Sequence, residues 1–587
     1  MTAMKRLILA IVGVCVAALG GSLTGAQDDL YVLPAANARL SVGGTMDLTA
    51  NGRVLAASNM LNGTVSLVDA SARSLIVEID VGGDPRGVSF TTDDSRVLVV
   101  NRADGTLSVV DVAERAVVAT YPVGILPYAV VTTGGNIAYI TLQASDEVIA
   151  LDYTTGEIRE RISTPPMPTG ITQWGADMLY VTHLWTGELS VIHLPQSRVV
   201  RVANQDTDMA LSFSVGIDRR NGRAYLPQSR SYPQNPALTF DSAIVPMLNT
   251  FDLNTLNIRA DSRTSLSVAD RPVNMPFAVA VDTVREWAFV VNAGTDNVSV
   301  IDMNAGLAVA NLRVGVNPRA AILSIDNSLL YVHNALESSI SIIDTRQLRV
   351  RDIVPISDLR VPIGRLFGAE FFHSARDPRM GALTLSCASC HFDGLSDGRV
   401  WRSMSDAPTT TPLLFGLEDT APYTVRGTWP DVASAELKIG ELQFGAGLLD
   451  GEMPPADGEP HGGLSLDLDM LADYLLSLEG PPTPPVADVE LARRGAEVFA
   501  ELECAACHSG DAYTDGQLHD VGTGGEFVTP SLNWLWLSPP YLHDGRAETL
   551  RDVFILPGDH QAITRVTPEE IDALTAFLLS LPADDSE

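Results

Sequence analysis

Two pentapeptides in the C-terminal half carry the chemistry: Cys387-Ala388-Ser389-Cys390-His391 and Cys504-Ala505-Ala506-Cys507-His508. In Cys-x-x-Cys-His, both thiols add to the vinyl groups of a haem, and the adjacent histidine is held under the iron as its proximal ligand. Zinc sites and redox dithiols also use paired cysteines. Neither explains a histidine directly after both pairs. The expected attachment residues are therefore Cys387, Cys390, Cys504 and Cys507, with His391 and His508 as proximal iron ligands. The expected cofactors are two c-type haems. Of the five cysteines in the chain, only Cys15 lies outside these motifs.

Positioning these motifs requires helices. Asp488 caps an expected helix through Phe499, just before the second motif. Thr567-Pro568-Glu569-Glu570 is a capping box with proline at the first helical position. It opens an amphipathic helix carrying Ile571, Leu574, Phe577, Leu578 and Leu581. After the first motif, Ser465 caps the matching helix, with Leu468, Leu471, Leu475 and Leu478. Pro481-Pro482-Thr483-Pro484-Pro485 reads as a stiff linker between the two units.

The first half repeats. Strand-like runs such as Val97–Asn101, Leu179–His183 and Leu330–Asn334 are each followed by a turn and a second strand. The second strand ends at 69, 111, 152, 193, 252, 302 and 344, in most copies on aspartate. Seven units of about 42 residues indicate a β-propeller. The wider spacing near Ser231–Pro246 predicts an insertion in the fifth unit. His183, His193 and His333 read as ordinary blade residues more readily than as channel ligands.

The N-terminus has the anatomy of a secretion signal: basic Lys5 and Arg6, an apolar run from Leu7 to Leu19, and small residues Thr24-Gly25-Ala26 before Gln27. Losing it would take the net charge from −33 to −35. Such acidity argues against nucleic acid and favours basic redox partners.

These units resemble YVTN-type β-propeller repeats, through Tyr180-Val181-Thr182-His183. The C-terminal tandem resembles the bacterial di-haem cytochrome c peroxidase family, which includes the enzyme that matures methylamine dehydrogenase. The residues are Gly364–Phe367 and Ser396-Asp397-Gly398 in the first unit. In the second they are Tyr513–Gly516, His519–Gly522, Thr529–Leu532 and Pro540–Gly545. The family's inter-haem tryptophan is missing from the matching Tyr423–Gly427, and Trp429 is displaced from that place.

The fold expected is an all-β seven-bladed β-propeller followed by two α-helical class I-like cytochrome c domains. Its boundaries are signal 1–26, propeller 27–355, cytochrome domain 356–480, linker 481–487 and cytochrome domain 488–587. The sixth iron positions are open. At the second haem His560 leads His519 and His543, since its unit has no methionine after Met470. At the first, Met453 as ligand competes with Glu452 as a catalytic acid–base group under the peroxidase resemblance, with His461 and Met404 behind both. The resemblance also implies calcium between the haem domains. The expected role is periplasmic electron transfer, with a small cytochrome or cupredoxin as redox partner and no membrane span in the mature chain. The alternatives are a peroxide-reducing enzyme and a propeller scaffold for a redox assembly.

The mature chain should carry two covalent haem masses, and Cys504→Ala with Cys507→Ala should leave one. Intact-mass spectrometry showing neither would overturn this reading.

Overall fold

The computed structural model describes residues 44–203, 208–235, 244–255, 257–258, 263–266, 273–381, 385–402, 408–449, 458–556 and 566–582. The signal segment, Met404, Glu452, Met453 and His560 lie outside the described residues.

Seven antiparallel sheets occupy the first half, spanning residues 46–80, 85–122, 127–163, 168–203, 209–265, 276–313 and 318–355. Six have four strands in sequence order, and the fifth has six. Innermost strands of neighbouring sheets pack side by side around the ring, Thr169 of the fourth donates to the Ser212 carbonyl of the fifth, and strand 46–48 meets strand 318–323, so the ring closes into a seven-bladed β-propeller. The insertion expected in the fifth unit falls in the enlarged blade.

The repeating residues have structural jobs. Asp69, Asp111, Asp252, Asp302 and Asp344 each accept hydrogen bonds from two backbone N–H groups of the following turn. This is the Asx-turn that makes aspartate favourable where one strand hands over to the next. Asn59, Asn101, Asn292 and Asn334 each donate to side chains five and seven positions on, pinning the hairpin. His183 takes the asparagine's place, bonding Ser190 seven positions on. His333 is buried against Thr45. His193 ends an inner blade strand.

Five innermost strands begin with proline, at Pro85, Pro127, Pro168, Pro276 and Pro318. The next residues are therefore equivalent around the ring: Arg86, Tyr128, Thr169, Phe277 and Arg319. Arg86, Tyr128, Phe277 and Arg319 line a small cavity with Thr45, Phe213 and Ser214, where the innermost strands converge. The convergence is tight. A Cβ on Gly87 would stand 2.7 Å from the Ala129 backbone.

The second half contains helices α1 (Ile363–His373), α2 (Glu436–Glu441), α3 (Leu466–Leu476), α4 (Val489–Glu501), α5 (Leu550–Ile555) and α6 (Pro568–Leu578). Ser465, Asp488 and Thr567 cap α3, α4 and α6 with their side chains, as the sequence requires. In each unit the first helix crosses the last at a glycine. A Cβ on Gly368 would collide with the Met470 carbonyl, and one on Gly495 with that of Ala573. The proline-rich segment is pinned rather than free. Trp534 donates to the Pro481 carbonyl at 2.9 Å, and Thr483 to that of Pro582 at 2.7 Å. Those bonds hold it against the second unit.

Gly495→Val should cost about 1–3 kcal/mol by overpacking that crossing. Gly440→Ala, at a helical site with open space around it, should be neutral or stabilising. Thermal unfolding of the two variants checks this, and equal melting temperatures would contradict the crossing.

Candidate functional site

Both Cys-x-x-Cys-His segments form a tight 3₁₀ turn, in which the histidine N–H bonds the first cysteine's carbonyl at 2.9 Å. Both turns lie beside the helix crossing of their unit. His391 Nδ1 is 3.0 Å from the Pro412 carbonyl, and His508 Nδ1 is 3.1 Å from that of Tyr513. A ring whose Nδ1–H is tied to a carbonyl keeps the Nε2 lone pair for a metal and is fixed in orientation. Burial pushes His391 down to about 4, so its imidazole is neutral. Among the described residues, none of the four cysteines is in a disulfide. This donor set suits a covalent haem at each motif.

The two units are built alike. Tyr423 and Tyr541 each bridge to a residue six positions on, at Trp429 and Ala547, and each donates its hydroxyl to a leucine carbonyl six positions back. Each unit also has a two-stranded ribbon, Val400–Trp401 with Thr409–Thr410 and Leu518–His519 with Phe527–Val528. The tyrosine loop of each unit reaches the other's ribbon. Val528 donates to Val425 at 3.0 Å, and Thr410 to His543 at 2.9 Å. The contact is therefore self-complementary, like the interface of a two-fold dimer. Trp534 of the second unit meets Phe415 of the first edge-on, with centroids 6.0 Å apart.

The surroundings of the motifs differ. His391 is followed by Phe392 and Asp393, which enter the propeller axis. Phe392 packs 4.3 Å from Phe213 and 5.8 Å from Phe277, and the Arg319 guanidinium lies over its ring at 5.1 Å. Asp393 stands 2.9 Å from Arg86 and 3.0 Å from Arg319. Burial opposes its charge, but the two arginines hold its carboxyl well below the usual range. Further contacts run from Asn274 to Ser389, Arg376 to Asp296, Trp185 to the Ser396 carbonyl and Arg399 to that of Met209. After His508 come Ser509 and Gly510, both exposed.

Residues 492–582 match the cytochrome c family. The protein is a β-propeller joined to a cytochrome c domain. The chain is similar to methylamine utilization proteins named MauG. It is 27% identical to that of Methylorubrum extorquens over 289 residues, 39% of this chain and 80% of the relative. It is 34% identical to that of Methylophilus methylotrophus over 124 residues, 16% of this chain and 37% of the relative, so the chain spans little more than a third of that protein. Among solved structures, Kuenenia stuttgartiensis hydrazine synthase is similar at 17% identity and a TM-score of 0.46, covering 54% of this chain and 99% of that one.

The remaining candidates of this propeller–cytochrome protein fall as follows. His519 is 2.8 Å from Asp515. These two, with Cys507, are the only group of potential metal ligands among the described residues; because Cys507 belongs to the haem motif, the group is not an independent metal site. His543 stacks on Phe527 at 4.0 Å. His461 is fully buried, with its backbone N–H on Asp431. Glu452, Met453 and His560 fall outside the described residues. The sequence reading missed Arg86, Arg319 and Asp393. The recurring proline heads of the inner strands carried the signal for the two arginines.

Asp393→Asn should cost about 3–5 kcal/mol, the effect of breaking a buried pair. Because the folded carboxyl is depressed, its contribution is fully present above its unfolded pKa, about 3.9, and is lost as pH falls further. Denaturant titrations at pH 7 and pH 3 should show a smaller wild-type advantage at pH 3. An advantage independent of pH would contradict the pairing.

Proposed function

We propose that this protein is an exported, periplasmic two-haem redox protein. One haem is held by Cys387, Cys390 and His391, and the other by Cys504, Cys507 and His508. The shared construction of the two motif-bearing units carries this reading. Both have a turn that aims two thiols and an oriented imidazole beside a glycine-tight helix crossing. The bound haems supply one-electron chemistry at iron. The chain's residues orient each imidazole, pack the turn after the first histidine into the buried propeller axis and leave the turn after the second exposed. Electrons then enter or leave through the second unit, by way of a small redox protein such as a cytochrome or cupredoxin. Glu501, Glu503, Asp511 and Asp520 are exposed around its motif, so a basic partner face fits. No described helix is long and apolar enough to cross a membrane. The propeller, expected as a docking or recognition module, serves here first as the seat of the first haem unit. Calcium between the units remains part of the proposal through the family resemblance.

The second reading is a peroxidase-like oxidoreductase, favoured by the likeness to MauG across most of that protein's length. Here Glu452 would act as acid–base group, whereas in the electron-transfer reading Met453 and His560 fill the sixth positions.

Electron paramagnetic resonance of the oxidised protein separates the two. Electron transfer predicts two low-spin irons, with Met453→Ala and His560→Ala each converting one to high spin. It also predicts negligible peroxide consumption. A high-spin iron in the wild type, with peroxide turnover that Glu452→Gln lowers about 10²–10⁴-fold, would replace this reading with the enzymatic one.

A further inference from the structure

We infer that the propeller axis sets the redox potential of the first haem. Arg86, Arg102 and Arg319, facing only two carboxylates, place a surplus positive charge beside the turn of its proximal histidine and hold its potential above the value it would otherwise have. This inference rests on the two-haem reading above.

The charge count comes from one buried cluster. Arg86 and Arg319 are 4% and 1% exposed, and Asp393 is 7% exposed. Arg86 also pairs with Asp84 at 2.8 Å, and Arg102 reaches the same Asp84 at 3.2 Å. Three guanidinium groups thus face two carboxylates. The other titratable groups around them are neutral. His373 stands 3.8 Å from Asp393, and burial lowers its pKa. Tyr128 and Tyr474 are pushed up by burial. The cluster carries a net positive charge, and its arginines and Asp393 are buried while Asp84 is partly exposed. Arg86 is shared between Asp84 and Asp393, Arg102 adds a second cation at Asp84 and Arg319 a second at Asp393, so the surplus belongs to the three arginines together.

The cluster is tied to the haem site by the chain itself. Asp393 is two residues beyond His391, so their Cα atoms are within about 7 Å. Phe392, between them, is locked in the aromatic group of the axis. Ferric haem carries one more positive charge than ferrous haem, so a nearby fixed cation disfavours the oxidised state. Burial keeps that effect from being screened as it would be in water. The second motif has no counterpart, because Ser509 and Gly510 are exposed and lack such charges. The two haems therefore differ by a charge that the propeller supplies to only one of them.

The test is a redox titration of the full haem-loaded chain, followed optically and by electron paramagnetic resonance, after intact mass has counted the haems. Arg319→Met should lower the first haem's potential by roughly the equivalent of a tenfold change in its reduction equilibrium, about 59 mV for one electron. Asp393→Asn should raise it, and Arg319→Lys should keep the wild-type value. The second haem should not move in any of them. If Arg319→Met does not assemble, Arg86→Met should give the same downward shift. A first haem that stays put, or that moves the same way in the arginine and aspartate variants, overturns the inference. So does Arg319→Lys behaving like Arg319→Met. A mass showing fewer than two haems instead overturns the two-haem reading.

Discussion

Asp393 brings a carboxylate into the buried axis of the propeller. A charge buried there must be paired, because an unpaired carboxylate in low dielectric costs several kcal/mol. Arg86 and Arg319 come from the two blades that flank the first and meet on that one group. The carboxylate therefore ties blades 2 and 7 to the turn that carries His391. The pairing holds the turn after the first histidine, and His373 at the end of α1 lies 3.8 Å from the same carboxylate. The aromatic contacts of Phe392 with Phe213 and Phe277 add apolar burial to it.

The second unit inherits its position indirectly. It meets the first through exchanged loops and ribbons, and through Trp534 against Phe415 and the proline-rich segment. The pair has the logic of a two-fold dimer written into one chain, but only one member meets the propeller axis. Like units in unlike surroundings can do unlike work. The first motif runs on into a buried, charged axis, and the second into exposed residues beside acidic side chains.

Much of this was legible in the sequence. The aspartates and asparagines of the repeat stand where a turn or hairpin needs their side-chain hydrogen bonds, so the period and the blade count could be read directly. The helix caps Ser465, Asp488 and Thr567 were legible because capping is local chemistry. The haem motifs were legible because their spacing is fixed by the haem. The docking of the first unit was not, because Asp393 and its arginines are separated by 74 and about 300 residues, and no local rule joins them. The proline-rich segment read as a stiff linker, with no local signal for what it packs against. What holds it is Trp534, 53 residues away. The aromatic between the units was sought near Tyr423, whereas the structure supplies Trp534 from the other unit.

Hydrogen exchange of the intact, haem-loaded chain tests most directly whether the first haem motif and the propeller axis are one body. The amides of residues 391–395 should exchange only with opening of the inner strands 276–282 and 318–323, at matching free energies. Exchange of 391–395 at the rate of an exposed loop, while those strands stay protected, would contradict the account.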